Sequence, residues 1–273
     1  MSAGEFQEFR DFLQDVAGID LGHNKQYLVA TRLRRVLMEY DCETLAQLTS
    51  LIKSPSSSRA KQKVVDVMTT NETFWFRDSY PFEYLKAKIL PDLAQEKRIG
   101  RYRIWSAACS SGQEPFSISM MIEEAAKENL QTKNLNLEII ATDLSSAILD
   151  KAKSGEYDRL SITRGLSQKR MDTYFEKLSD DNWRAIPELG KRITFRSLNL
   201  LDSYASLGKF DVIFCRNVLI YFSPELKKDI LTRMHAALKP GGSLFLGSSE
   251  SLGGASSLFD MVHCNPGVMY QAK

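Results

Sequence analysis

A short apolar strand, a loop of small residues and the start of a helix follow one another at residues 104–117, which read IWSAACSSGQEPFS. Small side chains let the backbone approach a ligand, and Pro115 suits the first turn of a helix because no N–H is needed there. This order is typical of a nucleotide-binding α/β domain. The fingerprint G-x-G-x-x-G is absent, and Glu114 stands where a pyrophosphate would meet the helix. A carboxylate there repels a diphosphate and attracts an ammonium group, which favours S-adenosylmethionine over NAD.

Polar residues also stand at the ends of two later strands. Asp143 ends the strand IIATD, where nucleotide-binding folds hold ribose hydroxyls with a carboxylate. The alternative role for Asp143 is to cap the helix that follows. Asn199 and Leu200 follow the strand at residues 194–197, and an amide beside an apolar side chain suits the edge and face of adenine.

The motif CRNVLIYF, residues 215–222, ends the most apolar strand of the chain. Ligands of doubly wound sheets lie outside the carboxyl ends of the strands, so Asn217 and Tyr221 are expected at a reaction centre. The alternative for Tyr221 is a core aromatic ring with a solvated hydroxyl.

No pairing of a nucleophile with a base is evident, and the three histidines are scattered. The sequence therefore predicts neither a Ser-His-Asp site nor a metal site. The cysteines stand far apart without a C-x-x-C pair, which predicts free thiols in a reducing compartment. The histidines are His23, His235 and His263, and the cysteines are Cys42, Cys109, Cys215 and Cys264.

Composition indicates a globular protein without a general attraction for nucleic acid or membranes. The 273 residues are 43% hydrophobic and 26% charged, with a net charge of +2. The N-terminus has no basic stretch followed by an apolar run, and no segment reaches the roughly 18 apolar residues of a membrane span. We expect a cytoplasmic protein.

Residues 1–70 show helical spacing of apolar residues and no convincing strand, which predicts a small all-α domain. Its second helix, residues 24–40, carries Arg32 and Arg35 beside the apolar stripe and Arg34 further round. These arginines either bind an acidic partner or form a solvated charged face.

Strands and helices alternate from residue 102 onward, which predicts a mostly parallel sheet with helices on both faces. Before it come the irregular aromatic stretch TTNETFWFRDSYPF and a helix over 83–97 that Pro91 bends or divides. The polar residues 155–192 break the alternation and predict an inserted antiparallel subdomain. KPGG at 239–242 predicts a turn, and residues 261–271 predict a final hairpin or a single last strand.

Five motifs in this order resemble those of the chemoreceptor glutamate methyltransferases, the CheR family. They are TTNETFWFR, WSAACSSGQEPFS, ATD, NLL and FCRNVLIYF. The resemblance implies an α/β fold: a Rossmann-like class I methyltransferase domain with a mostly parallel seven-stranded sheet. It also implies a helical domain at 1–70, a cofactor-contacting interdomain segment at 71–90, and a methyltransferase domain at 91–273 with a β-subdomain inserted at 155–192.

The resemblance also implies the reaction and the residues that perform it. The enzyme would transfer the methyl group of S-adenosyl-L-methionine to receptor glutamates for sensory adaptation, leaving S-adenosyl-L-homocysteine. Arg77 and Tyr221 would lie nearest the reaction, and Arg32, Arg34 and Arg35 would meet the receptor's helical bundle. The implied cofactor-binding residues are Asn71, Thr73, Arg77, Ala107, Glu114, Asp143, Asn199, Leu200, Asn217 and Val218.

Several points stay open at this level. Family members that bind a receptor's C-terminal peptide have a Gly-rich turn in the β-subdomain; FEKLSDDNWRAIPEL lacks one, which favours an enzyme without a tether. We expect a monomer that binds no nucleic acid, does not insert into the membrane and is recruited to receptor arrays. The alternatives are a methyltransferase for RNA or a small molecule, and a cofactor-binding regulatory module without activity.

Overall fold

The computed structural model describes residues 1–96 and 100–273, and its first part is all-α. Side-chain caps explain where two of these helices begin: Ser2 with Glu5, and Thr44 with Gln47, form reciprocal capping boxes. Gly18 ends the first helix in the left-handed conformation, at φ 71°. The four helices are α1 (Ala3–Ala17), α2 (Gln26–Glu39), α3 (Leu45–Lys53) and α4 (Ser58–Met68).

The helical domain has a hydrophobic core of its own. Phe9, Leu13, Leu33 and Leu48 are fully buried there, each from the apolar stripe of its helix. Helical spacing in the sequence therefore predicted this part of the fold.

A divided helix follows the irregular residues 69–79. It consists of α5 (Tyr80–Tyr84), a π-helical turn (Leu85–Ile89) and α6 (Leu90–Gln95). Pro91 has no backbone N–H to donate within this continuous helical stretch, and the wide π-helical turn stands directly before it. The helix thus starts earlier than predicted, and its predicted end, Lys97, lies outside the described residues.

The described strands are β1 (Tyr102–Ala107), β2 (Leu137–Asp143), β3 (Glu156–Asp158), β4 (Phe175–Ser179), β5 (Asn182–Ala185), β6 (Ile193–Ser197), β7 (Phe210–Cys215), β8 (Leu238–Leu246), β9 (Phe259–His263) and β10 (Val268–Ala272). Seven of them form the main sheet, in the order β6-β2-β1-β7-β8-β10-β9. The first five are parallel, whereas β10 is antiparallel to both of its neighbours. This confirms the mostly parallel seven-stranded sheet.

Helices cover both faces of this sheet. Alternate residues of β1 enter different cores. Ile104 packs with Phe116 of α7 (Gln113–Glu128) on one face, and Trp105 packs with Met234 of α13 (Pro224–Ala237) on the other. Burial on both faces accounts for the nearly continuous apolar run FDVIFC, in which Asp211 alone is charged and pairs with Lys239. The helices are α7 (Gln113–Glu128), α8 (Leu130–Lys133), α9 (Ser146–Ser154), α10 (Arg159–Thr163), α11 (Gln168–Tyr174), α12 (Pro187–Gly190) and α13 (Pro224–Ala237). Short 3₁₀ turns lie at Ala205–Leu207, Leu219–Tyr221 and Gly253–Leu258.

The insertion is a three-stranded antiparallel sheet, β3-β5-β4, as the break in the alternation predicted. Its buried Tyr157 packs edge-on against Trp75, with ring centroids 4.8 Å apart. The Tyr157 hydroxyl donates to the carbonyl of Ser111 at 2.9 Å. The insertion is therefore attached to the loop that follows β1.

The prediction of a simple turn at residues 239–242 was wrong. These residues lie within β8 as a bulge, because Phe210 pairs with Leu238 and Val212 pairs with Ser243. The final hairpin is confirmed, as β9 and β10 pair antiparallel. Within residues 1–96 and 100–273, no helix is long and apolar enough to cross a membrane.

Candidate active site

A cavity of about 350 Å³ lies at the carboxyl ends of the central strands, beneath the helical domain. This volume falls within the range of small-molecule sites, which is about 300–1,000 Å³. Its described wall carries four acidic and four basic side chains beside apolar ones, a mixture suited to a zwitterion. They are Asp20, Glu72, Glu114 and Asp143, and Lys25, Arg32, Arg77 and Arg216.

The loop after β1 forms the floor of the cavity. Ala108 and Ser110 adopt left-handed φ angles of 60° and 50°, and Gly112 follows at 94°. A side chain on Gly112 would also meet the Tyr157 hydroxyl at 3.0 Å. The predicted contact residue Ala107 is fully buried behind this wall, whereas its neighbour Ala108 lines the cavity.

Asp143 lines the cavity and organises two loops. Its carboxylate accepts the backbone N–H of Ser110 at 2.8 Å and that of Ser145 at 3.0 Å. Burial raises the pKa of this carboxyl, and the backbone hydrogen bonds oppose that rise. Ser145, and not Asp143, caps α9. Asp143 keeps lone pairs for a ligand hydroxyl, since a carboxylate has about four acceptor sites.

Glu114 lies in the first turn of α7 and takes part in a buried ion pair. Its Oε1 accepts the Ser106 hydroxyl at 2.7 Å, and its Oε2 lies 3.1 Å from Nη1 of Arg216. Burial raises the pKa of Glu114, while the charge of Arg216 and the Ser106 hydroxyl oppose the rise. The predicted ammonium-binding carboxylate thus already has one cationic partner.

The segment after β7 brings Asn217, Val218 and Tyr221 to the cavity together. Asn217 has a left-handed φ of 57°, and its buried Oδ1 has no hydrogen-bond partner in the described part of the chain. Glu250 holds this segment, accepting the N–H groups of Asn217 at 2.7 Å and Ile220 at 3.3 Å. An unsatisfied buried oxygen is an acceptor available to a ligand.

The interdomain segment supplies Asn71, Thr73 and Arg77 to the same cavity. The carbonyl of Asn71 accepts the Ser110 hydroxyl at 2.9 Å, which links this segment to the floor. The Arg77 guanidinium lies over the Phe74 ring, 5.4 Å from its centroid. The predicted reaction residues Arg77 and Tyr221 therefore line one cavity from different elements.

Asn199 and Leu200 line the cavity next to the helical domain. The Asn199 amide donates to the carbonyl of Val16 at 2.7 Å, and its oxygen accepts the N–H of Leu201 at 3.0 Å. These bonds use the amide to join the domains, so a contact to adenine would have to share them. Leu200 is 7% exposed and offers an apolar surface.

The helical domain closes the cavity from above, and one of its predicted partner residues belongs to the wall. Arg32 donates to the carbonyl of Met68 at 2.7 Å and to the Thr70 hydroxyl at 3.0 Å. Arg34 and Arg35 are exposed and form no ion pair within the described ranges. The three arginines thus divide: Arg32 holds the interdomain segment, while the other two face solvent.

Sequence reasoning missed Arg216, which lies between two predicted residues, Glu114 and Arg77. Its guanidinium donates to the carbonyl of Arg77 at 2.5 Å. The available signal was a charged residue directly after the buried strand FDVIFC. A buried carboxylate at Glu114 also requires a counter-charge.

Comparison with known proteins gives one consistent result. The model of the CheR methyltransferase all-alpha domain matches residues 4–69, and that of the CheR methyltransferase SAM binding domain matches residues 71–268. Chemotaxis protein methyltransferase Cher2 of Pseudomonas putida is 53% identical over 275 residues, covering 100% of both chains. Chemotaxis protein methyltransferase 1 of Pseudomonas aeruginosa is 52% identical over 269 residues, covering 98% of each. The chain therefore belongs to the CheR methyltransferase family.

Proposed function

We propose that this protein transfers the methyl group of S-adenosylmethionine to glutamate side chains on the cytoplasmic helices of chemoreceptors. The observation that carries the proposal is a mixed-charge cavity at the carboxyl ends of β1, β2 and β7 in a chain of the CheR family. The esters formed would adjust receptor signalling during adaptation. We also propose the division at residues 1–70, 71–90 and 91–273, with 155–192 inserted; the separate helical core supports its first boundary.

Different residues of the cavity suit the methionine, ribose and adenine parts of S-adenosylmethionine. Glu114 would hold the ammonium of the methionine part, and Asp143 would accept the ribose hydroxyls. Leu200 and Val218 provide apolar surface for adenine, near Asn199. The unpartnered Oδ1 of Asn217 supplies one more acceptor for a donor of the ligand. Asn71 and Thr73 would close the cavity from the interdomain segment, while Ala107 would act through the position of Ala108.

The acceptor chemistry explains why the site needs no base. A glutamate side chain has a reference pKa of about 4.3 and is ionised at neutral pH. S-adenosylmethionine supplies a methyl group on a positively charged sulfur. The carboxylate oxygen attacks the carbon of this methyl group directly. The carbon–sulfur bond breaks as the oxygen–carbon bond forms, and the sulfur keeps the electron pair.

The protein therefore contributes mainly position and exclusion of water. Arg77 would bind a carboxylate, because a guanidinium makes paired charge-assisted hydrogen bonds. The Tyr221 hydroxyl would orient the attacking carboxylate against the sulfonium. Both side chains line the cavity, and the main chain of Tyr221 is held by the N–H of Asp20 at 2.8 Å.

The exposed Arg34 and Arg35 would bind the acidic face of the receptor's helical bundle, which would recruit a monomeric enzyme to receptor arrays. Arg32 would act from the cavity side, by holding the interdomain segment. The β4–β5 turn, Asp180–Asp181, contains no glycine, which supports an enzyme that needs no C-terminal receptor tether.

Methyl transfer with labelled cofactor tests the proposal. The purified protein is incubated with methyl-tritiated S-adenosylmethionine and receptor-containing membranes, and the receptor band is then treated with mild alkali. We expect label on the receptor that alkali releases as methanol, as a glutamyl methyl ester requires. Label on RNA or on small molecules would contradict the proposed acceptor. Cofactor binding without transfer to any acceptor would identify a regulatory module.

A further inference from the structure

Arg216 joins three elements of the cavity that are far apart in sequence. It follows β7, its Nη1 lies 3.1 Å from Glu114 of α7, and its Nη2 lies 2.8 Å from Asp78 of the interdomain segment. The same Nη2 donates to the Arg77 carbonyl. We propose that Arg216 is a positioning residue for methyl transfer, holding Glu114 and the turn that carries Arg77 in their working arrangement. This inference rests on the proposed function.

The surroundings of Arg216 make its partners indispensable. Its side chain is 2% exposed and lies over the ring of Phe82, 5.5 Å from the centroid. A buried cation is tolerated only when opposite charges and hydrogen bonds compensate for lost solvation, and Asp78 and Glu114 do so here. A planar guanidinium reaches both carboxylates and a carbonyl at once, which a lysine ammonium cannot reproduce in the same geometry.

The turn held by Arg216 has an unfavourable backbone. Phe76, Asp78 and Ser79 adopt left-handed φ angles of 50°, 63° and 44°, although none of them is a glycine. Such conformations persist only where surrounding contacts enforce them. The bonds from Arg216 to Arg77 and Asp78 are contacts of this kind, so losing them would let the turn relax and displace Arg77.

Arg216 also acts on the charge of Glu114. Burial raises the pKa of Glu114, and Arg216 is the largest influence in the opposite direction. The other groups facing this carboxylate are the Ser106 hydroxyl, which lowers its pKa, and the carboxylate of Glu250, which raises it. The thiols of Cys109 and Cys215 also lie near and are uncharged, because burial raises their pKa values well above the ordinary range. Arg216 therefore favours the ionised form that an ammonium needs.

The test compares Arg216→Gln and Arg216→Lys with the matched variants Arg103→Gln and Arg103→Lys. Arg103 has a similar set of partners at the amino end of β1: Glu138 at 2.8 Å, the Leu207 carbonyl at 2.5 Å and the Phe210 ring at 4.8 Å. For each protein the dissociation constant of S-adenosylhomocysteine is measured by calorimetry across acidic to neutral pH. Thermal unfolding is recorded in parallel.

We expect Arg216→Gln to weaken binding by about 10- to 150-fold, the range for losing a hydrogen bond to a charged group. Its affinity should also begin to fall at a higher pH than in the wild type as the solution is acidified, because Glu114 takes up a proton more readily. Arg216→Lys should recover part of the affinity. The Arg103 variants should lose stability and keep wild-type affinity and pH dependence.

Wild-type affinity with a wild-type pH profile in folded Arg216→Gln would overturn the inference. If that variant does not fold, wild-type behaviour of Arg216→Lys would overturn it. Equal losses of affinity in the Arg103 and Arg216 variants would also do so, since they would indicate a general structural effect. A wild-type protein that binds no S-adenosylhomocysteine would instead contradict the proposed function.

Discussion

Replacing Glu114 by Gln removes one buried charge and keeps the shape of the side chain. Glu114 is 12% exposed on its side chain, so solvent screens its interactions little. A carboxylate and an ammonium about 4 Å apart attract by roughly 4 kcal/mol at an effective dielectric constant of 20. Arg216 already shares this charge at 3.1 Å, so the net contribution should approach that of a hydrogen bond to a charged group, about 1.5–3 kcal/mol.

That range corresponds to about 10- to 150-fold weaker binding of S-adenosylhomocysteine, measured by calorimetry at neutral pH. The turnover number with saturating cofactor should change less, because the ammonium group lies several bonds away from the methyl group that reacts. Glu225, in the first turn of α13, provides the control Glu225→Gln at another helix start. If the dissociation constant of Glu114→Gln stays within about twofold of the wild-type value, the loss is far smaller than the expected tenfold or more, and the role of Glu114 is refuted.

The raised pKa of Glu114 gives a second signature. The folded protein binds this proton more tightly than the unfolded chain, so this group's effect is to lower stability as pH rises from about 4.5 through the raised pKa. The affinity for S-adenosylhomocysteine should instead increase as pH rises through this range, since only the ionised carboxylate attracts an ammonium. In acidic solution the affinity of the wild type should fall as pH falls, whereas that of Glu114→Gln should fall less, because only Asp143 still takes up a proton there. Parallel pH profiles would contradict this assignment.

Three further predictions follow from the cavity and the helical domain. Tyr221→Phe should lower the turnover number with little change in cofactor affinity, because only the orienting hydroxyl is lost; rapid initial-rate assays measure this. Asp143→Ala should weaken S-adenosylhomocysteine binding, because the carboxylate proposed to accept the ribose hydroxyls is lost. It should also lower the free energy of unfolding by about 1–3 kcal/mol, since the N–H groups of Ser110 and Ser145 lose their acceptor. Charge reversal of exposed Arg34 and Arg35 should raise the KM for receptor about 3- to 10-fold, most strongly at low salt, without changing cofactor affinity.

Matched variants separate these roles from general damage. Tyr102→Phe loses a hydroxyl that donates to Leu93 at 2.7 Å, at the opposite end of the sheet, and should keep the wild-type turnover number. Asp158→Ala loses a helix cap in the insertion and should change stability alone. Lys133→Glu reverses an exposed charge away from the cavity and should keep the receptor KM. Unchanged turnover in Tyr221→Phe, unchanged affinity in Asp143→Ala, or unchanged receptor KM after reversal of both arginines would contradict the respective prediction.

The sequence predicted those parts of the fold in which local pattern and burial agree. Except for Asp211, which pairs with Lys239, the strand FDVIFC is apolar because both of its faces are buried. Helices α1 to α4 carry apolar stripes that fill one core. Small polar elements were less visible. Strand β3 has only three residues, and four of the five residues of β4 are exposed. Neither strand therefore shows a clear alternation of apolar and polar residues.

Contacts across the chain account for what the sequence could not provide at the site. The role of Arg216 depends on its ion pairs with Asp78 and Glu114. These residues are far from Arg216 in sequence and approach it only in the folded chain. Arg32 shared a helix with two exposed arginines, yet its contact to Met68, 36 residues away, places it in the cavity wall. Residues 239–242 likewise belong to a strand because the residues on either side of them, Leu238 and Ser243, both pair with β7.

Peptide mass spectrometry of a receptor incubated with the enzyme and S-adenosylmethionine tests the central claim most directly. We expect peptides from the cytoplasmic helices to become one methyl group heavier on a glutamate side chain. Mild alkali should restore the original mass, and Tyr221→Phe should reduce the yield. Methylation confined to lysine or arginine nitrogens, or an alkali-stable product, would contradict glutamyl ester formation.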